Sequence, residues 1–199
     1  MGAAFEVFIT YGFRKTSMDD IARAAGMSRP ALYQSFKNKT DIFRALVSQF
    51  CEVSLQKAKA ELDSDQPFPT RLARAIEVSV IEMNAVVEAT PHGMELMNVN
   101  GEIAHDLEEV WNQRFTAMLA SAFAAADEAG EIQLNALGVS AEDVAQVFDN
   151  AMEGLKARCL RGEQVNDAIY TTVRFFIGAL ASGSQMTVSA VTPAVAQIA

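Results

Sequence analysis

The sequence predicts an all-α fold, a short N-terminal helical domain followed by a longer helical one, on three observations. Apolar side chains recur three and four positions apart almost throughout. No segment alternates apolar and polar residues as a half-buried strand does. Glycines, prolines and capping residues fall where the periodic runs stop and start. Taken in order, a first helix covers Gly2–Tyr11, with Phe5, Phe8 and Ile9 on one face and Gly12 as C-cap. A second runs from Ser17 to Gly26, and a third from Ser28 to about Phe36. Asn38 or Lys39 opens a long fourth helix towards Asp63. Pro67 and Pro69 then break the pattern, because each removes a backbone donor. A fifth helix covers residues 70–89 and stops before Pro91. Residues 91–100 read as irregular, with room for one brief helix. Residues 102–129 form the next long helix, which ends at Gly130. Ser140, with Asp143 three positions on, caps a helix that reaches about Leu160. A last helix covers residues 163–181, and residues 182–199 have no clear period.

Half of the 199 residues are hydrophobic and 21% are charged, the balance of an ordinary globular chain with ample core. No run of ~20 apolar residues is free of charge, so no membrane span is expected. Residues 169–181, the most apolar stretch near the end, are too few and include Arg174. Residues 1–10 have no basic region ahead of their apolar run and do not read as a secretory signal. Cys51 and Cys159 cannot build a disulfide framework or a zinc cluster, which fits a reducing cytoplasm.

The net charge of −9 speaks against a nucleic-acid partner until its distribution is read. Residues 1–50 hold Arg14, Lys15, Arg23, Arg29, Lys37, Lys39 and Arg44 against Glu6, Asp19, Asp20 and Asp41, a net of +3. The remainder carries −12. A basic head on an acidic body is the expected polarity if only the head meets phosphate.

Residues 17–36 carry the chemistry. Ser17 and Asp20 make an acidic capping box, and Gly26 supplies the left-handed turn that ends the second helix. Ile21 and Ala25 share one face, and Ala22 and Ala24 keep the helix slim enough for another to cross closely. Ser28 caps the third helix, Pro30 sits harmlessly in its first turn, and Met27 can staple against Leu32. Two short helices joined by a tight turn present Arg29, Ala31, Tyr33 and Gln34. Arginine forks to guanine, glutamine pairs with adenine, and alanine touches a thymine methyl. Tyr33 and Lys39 can reach phosphates.

The stretch from Phe5 to Phe50 resembles the DNA-binding domain of the TetR family of regulators. The matching residues are Phe8, Gly12-Phe13, Thr16-Ser17-Met18-Asp19-Asp20-Ile21-Ala22, Ala25-Gly26-Met27-Ser28, Leu32-Tyr33-Gln34-Ser35-Phe36 and Lys39. The resemblance implies DNA contacts at Thr16, Ser17, Tyr33 and Lys39 (phosphate) and at Arg29, Ala31 and Gln34 (groove). It also implies a homodimer on an inverted-repeat operator and repression relieved by a small ligand. Family members carry a longer, often basic segment before the first helix. Here Met1 falls inside that helix, so no arm contact is expected from these residues. The domains expected are residues 1–48 for DNA, with the motif at 17–36, and residues 49–199 for ligand and dimer.

In the body, Ile103, Leu107, Trp111, Phe115, Met118 and Ala122 form one helical stripe. Ile76, Val80, Met83 and Val87 form another, and Met94, Leu96 and Met97 lie between. Each residue can be plain core. Together, with adaptable methionines, they suit a pocket for a small hydrophobic ligand lined by Met83, Val87, Met94, Met97, Leu107, Trp111, Phe115 and Met118. Val144, Val147, Phe148, Ala151, Met152, Leu155 and Cys159 give the later helix (residues 144–160) a broad apolar face. Ile169, Val173, Phe176, Ile177 and Leu180 do the same for residues 169–181. Gly154, Gly178 and Ala179 permit close approach. Under the resemblance these helices pair with their copies in a dimer, setting two heads about one DNA turn apart, ~34 Å.

Two other classes compete. Glu102-Ile-Ala-His105 is a Glu-x-x-His pair of the kind used in helical di-iron enzymes, but those need a second such pair and further carboxylates. His92, the other histidine, has no glutamate three positions before it. No glycine-rich phosphate loop appears, so no cofactor and no enzyme activity are expected. The second alternative is a helical protein-binding module without DNA binding, against which the Arg29, Tyr33 and Lys39 set argues.

Overall fold

The computed structural model describes residues 2–82, 85 and 89–181. Its helices are α1 (Gly2–Tyr11), α2 (Met18–Ala24), α3 (Arg29–Ser35), α4 (Lys39–Leu62), α5 (Phe68–Ile76), α6 (Gly93–Ile103), α7 (His105–Glu128), a single turn α8 (Leu134–Leu137), α9 (Ala141–Leu160) and α10 (Asn166–Ala181). The expected all-α class holds among the described residues, which contain no strand. No helix among them is long and apolar enough to cross a membrane.

The caps sit where the sequence puts them. Ser17 and Ser140 each accept the N–H of an aspartate three positions on, and that aspartate returns the bond to the cap's N–H. Ser28 and Asn38 cap α3 and α4. Gly26 ends α2 at φ 64°, a backbone angle that a side chain disfavours. Met27 is 42% exposed, so of the two residues expected to staple only Leu32 is buried in the head.

The elements gather two apolar clusters. The head cluster joins Val7 and Phe8 of α1, Met18, Ile21 and Ala22 of α2, Leu32 of α3, and Ile42, Phe43 and Leu46 of α4. Phe8, Phe13 and Phe43 pack on one another in edge-to-face and tilted pairs, with ring centroids 5.3–5.7 Å apart. The body cluster joins α4, α5, α7, α9 and α10 around Phe68, Phe123 and Phe148. The helix α4 belongs to both and runs unbroken through residue 48, where a domain boundary was expected.

Three departures from the sequence reading matter. Residues 91–100, read as irregular with room for one brief helix, mostly belong to α6, an eleven-residue helix, and Ala104 interrupts the helical run before α7. Ile103 is therefore not on the stripe of Leu107 and Trp111. Val99 is 3% exposed and lies in the head cluster, with Leu96 and Ile103 packed on it, although α6 comes from the middle of the chain. Second, α5 begins at Phe68, with Pro69 tolerated in its first turn. Third, residues 77–81 are wound as a π-helix, in which the Ser79 hydroxyl donates to Ala75 O at 2.5 Å and Ser79 O accepts from Ser54 Oγ at 3.2 Å.

Two arginines tie the layers. Arg44 of α4 grips Asp106 through both nitrogens, at 2.6 and 2.7 Å, and also donates to Ile103 O at 2.6 Å. Those bonds hold the Asp106 carboxyl down at about 2. The contribution is present above the ordinary carboxylate range and is lost only as pH falls through that value. Arg71, with a side chain 14% exposed, pairs with Glu131 and donates to Leu62 O at 3.0 Å, while Glu131 accepts Phe68 N–H at 2.7 Å. Removing Glu131 leaves a shielded guanidinium and a helix-start N–H without their acceptor. Glu131→Ala is expected to cost about 1–3 kcal/mol in urea denaturation, with helix content at zero urea unchanged.

Candidate nucleic-acid interface and ligand cavity

The surface expected to meet DNA is built by α3. Arg29, Tyr33 and Gln34 are exposed on it, while Leu32 points inward and pins the helix to the head core. Ala31 is half-buried, and its N–H is used by the Ser28 cap at 3.3 Å. Arg29 does not stand free. Its guanidinium lies 3.2 Å from Asp19 of α2 and 5.5 Å from the Tyr33 ring centroid. Asp19, in the first turn of α2, thus holds the base-reading candidate in place. Nothing in a ten-residue separation announces that pair.

Two expected phosphate contacts are occupied otherwise. Thr16 is 3% exposed, and its hydroxyl donates to Gly12 O at 2.6 Å. Lys39 donates to Phe13 O (2.7 Å), Arg14 O (3.1 Å) and Thr16 O (3.0 Å) and lies 4.6 Å from the Phe13 ring centroid. All three protons of the ammonium group are spent inside the head. Lys39 here ties the α1–α2 turn to the start of α4, a positioning role that the sequence reading did not include. Ser17 is exposed, but its hydroxyl donates to Asp20 at 2.6 Å and accepts the Asp20 N–H at 3.2 Å. Arg23 is a further exposed cation beside this surface, 3.8 Å from Asp20.

The body encloses a cavity of about 520 Å³. Met97, Trp111 and Phe115 line it as expected, with Trp111 and Phe115 stacked at 4.7 Å. Met94, Leu107 and Met118 do not. Met94 faces solvent at 37% exposure, Leu107 shares the α7 stripe with Trp111 but is not part of the cavity lining, and Met118 faces Leu55 on the α4 side. Met83 and Val87 lie outside the described residues. The sequence reading missed the wall supplied by Phe5 and Phe8 of α1 and by Phe50, Cys51 and Ser54 of α4. Burial pushes the Cys51 thiol up, which keeps it protonated and this wall uncharged. The π-helical turn adds Ser79 and Val80.

The cavity and the α3 surface are linked through α6. Met97 and Asn100 face the cavity while Val99 sits in the head core. Glu95 accepts the Arg14 N–H at 2.9 Å and lies 3.2 Å from His92. Gly12, at φ 78°, faces the same carboxylate. A Cβ there would collide with Glu95 and stand 3.0 Å from His92 Nδ1. The Glu-x-x-His pair is dispersed: Glu102 lies 4.0 Å from Arg14, and His105 lies 3.5 Å from Glu109.

Residues 1–46 match the model of bacterial regulatory proteins of the tetR family. The chain is 29% identical over 117 residues to the HTH-type transcriptional regulator TtgR of Pseudomonas putida, which covers 59% of this chain and 56% of that one. The chain thus spans little more than half of that relative's length. It is 28% identical over 177 residues to the HTH-type transcriptional repressor BepR of Brucella suis, covering 84% and 81%. Among solved structures it is similar in fold to SmeT, the repressor of a multidrug efflux pump of Stenotrophomonas maltophilia. There the TM-score is 0.64 at 17% identity, with 92% of this chain and 89% of that one covered.

Lys39→Met keeps the stem of the side chain and deletes its charge. The head is expected to lose about 1.5–3 kcal/mol of stability. Hydrogen exchange should register the loss first in amides of α1 and α2. Unchanged protection there would rule out the positioning role.

Proposed function

Because the chain belongs to the TetR family of bacterial regulatory proteins, we propose that it is a ligand-controlled transcriptional repressor that binds an inverted-repeat operator as a homodimer. The observation that carries the reading is the pairing of an exposed Arg29, Tyr33 and Gln34 surface with an apolar cavity whose wall reaches into the same head. Arg29 reads a base edge, Gln34 and Ala31 lie along the groove, and Tyr33 and Ser17 meet phosphates. Arg23 adds charge at the rim.

The dimer uses α9 and α10. Val147 (57%), Leu160 (39%), Tyr170 (39%) and Phe175 (73%) are exposed there, more large apolar surface than two adjacent helices carry without a partner. Of these, Tyr170 and Phe175 stand out only when the helices are in place. A second copy seated on this face gives a two-fold pair of heads and hence a palindromic site.

Control runs through α6. A ligand in the cavity that shifts α6 shifts Val99 in the head core and Glu95 against the α1–α2 turn. The two heads then change spacing, provided the ligand binds the two arrangements unequally. Relatives support the direction: BepR is a repressor by name, and SmeT has been solved in complex with triclosan.

Fluorescence anisotropy on DNA flanking the chain's own gene, against scrambled DNA at two salt concentrations, tests the reading. Specific binding should weaken with salt, and Arg29→Ala should lower affinity for the specific site roughly 5- to 150-fold while sparing the scrambled one. No binding to a broad random pool would favour a protein-binding module instead. Sedimentation tests the interface. Phe175→Glu should weaken self-association at least about tenfold, because a buried unpaired carboxylate has no counterpart across a two-fold axis. Unaltered association would place the dimer elsewhere.

A further inference from the structure

The polar part of the cavity wall specifies the charge of its occupant, an inference that rests on the cavity being the effector site. Asn100 of α6 donates through Nδ2 to Glu108 at 3.3 Å. A carboxylate only accepts, so this bond fixes the amide's orientation and leaves Oδ1 turned the other way. That oxygen is buried and has no hydrogen-bond partner among the described residues. A buried carbonyl oxygen without a donor is costly, and a ligand N–H or O–H removes the cost.

The charges around it are unequal. Among the described lining residues stand three carboxylates, Glu108, Asp149 and Glu153, against one ammonium, Lys156. Lys156 pairs with Glu108 and lies 3.7 Å from Glu153, so its charge is already shared. Glu153 also accepts from Asn112 at 3.1 Å, and Asp149 accepts from Gln146 at 3.3 Å. His105 is exposed and 3.5 Å from Glu109. Cys51 and Cys159 add thiols and no positive charge. An incoming anion finds no free cation among the described lining residues and an excess of carboxylates along a partly exposed edge of the wall, where like charges still repel. The rest of the wall, from Phe5 and Phe8 to Trp111 and Phe115, is apolar and aromatic.

We propose that the cavity binds hydrophobic amines: an ammonium group donates to Asn100 Oδ1 beside the Glu108, Lys156 and Glu153 cluster, and an apolar or aromatic body fills the space towards α1. A volume of about 520 Å³ lies within the range of small-molecule sites.

Trp111, the single tryptophan of the chain, lines the cavity and reports occupancy by its own fluorescence. The test titrates the full chain with three probes that differ only at one end, phenylbutylamine, phenylbutanol and phenylbutanoate, and follows Trp111 emission and the melting temperature. The amine should bind at least about tenfold tighter than the carboxylate, with the alcohol between. Asn100→Leu should weaken the amine and the alcohol about tenfold each, and Glu153→Gln should narrow the gap between amine and carboxylate. If Asn100→Leu melts below the wild-type range, Asn100→Ser takes its place in the comparison. Binding of phenylbutanoate as tight as that of the amine overturns the charge assignment and leaves the cavity reading standing. Amine affinity unchanged in both Asn100 variants overturns the role of Oδ1. Silence from all three probes overturns the effector site itself, and this inference with it.

Discussion

Val99 is buried to 3% among side chains of α1, α2 and α4, yet it comes from α6, well beyond the head in sequence. The head therefore completes its core with a residue lent by the body. Most of what distinguishes this structure follows from that constraint. Burying Val99 requires α6 to lie across α1, which brings Glu95 to the α1–α2 turn and turns Met97 and Asn100 towards the body. The cavity then has a wall that is also the head's floor. Leu96 and Ile103 widen the same contact. A helix held this way cannot move without disturbing either cluster, since packed interiors resist small shifts.

Charged side chains reinforce the arrangement at its edges. Arg44 binds both the last carbonyl of α6 and the first turn of α7, so the break at Ala104 is bridged from α4. Lys39 performs the equivalent task on the other side of the head, with three carbonyl oxygens gathered around one ammonium group. Neither depends on long-range attraction. Each satisfies backbone acceptors that the chain's turns leave open. The result is a head whose outward surface, carried by α3, is fixed by bonds on its far side.

How much of this was legible in the sequence depends on the range of the interaction. Caps, the Gly26 turn and the helix-turn-helix could be read, because they are decided by residues within four positions of one another. Arg29, Tyr33 and Gln34 were read as outward for the same reason, and they are. The positioning role of Lys39 was not read because its partners lie more than twenty positions upstream and are carbonyls, which carry no side-chain signature. Residues 91–100 were read as irregular because Gly93, Asn98 and Asn100 dilute the apolar period, and only packing against the head makes them a helix. The cavity was half found. Trp111 and Phe115 follow from the period of α7, whereas Phe5 and Phe50 reach it only once α1 and α4 are folded together. Met118 was misplaced because a stripe on one helix does not say which neighbour it meets.

Gly12 and Glu95 occupy the same small volume at the joint between the two halves. The carboxylate uses the space that a side chain at residue 12 would need, and it stays there because the Arg14 N–H and His92 hold it. The two positions are thus one unit of inheritance. A lineage that enlarges residue 12 must shorten or redirect residue 95 in the same step, and one that shortens residue 95 first clears the space but still leaves the left-handed φ of 78° that disfavours a side chain at residue 12. Drift at this joint is expected to be paired and ordered, with the change in α6 preceding the change in the turn.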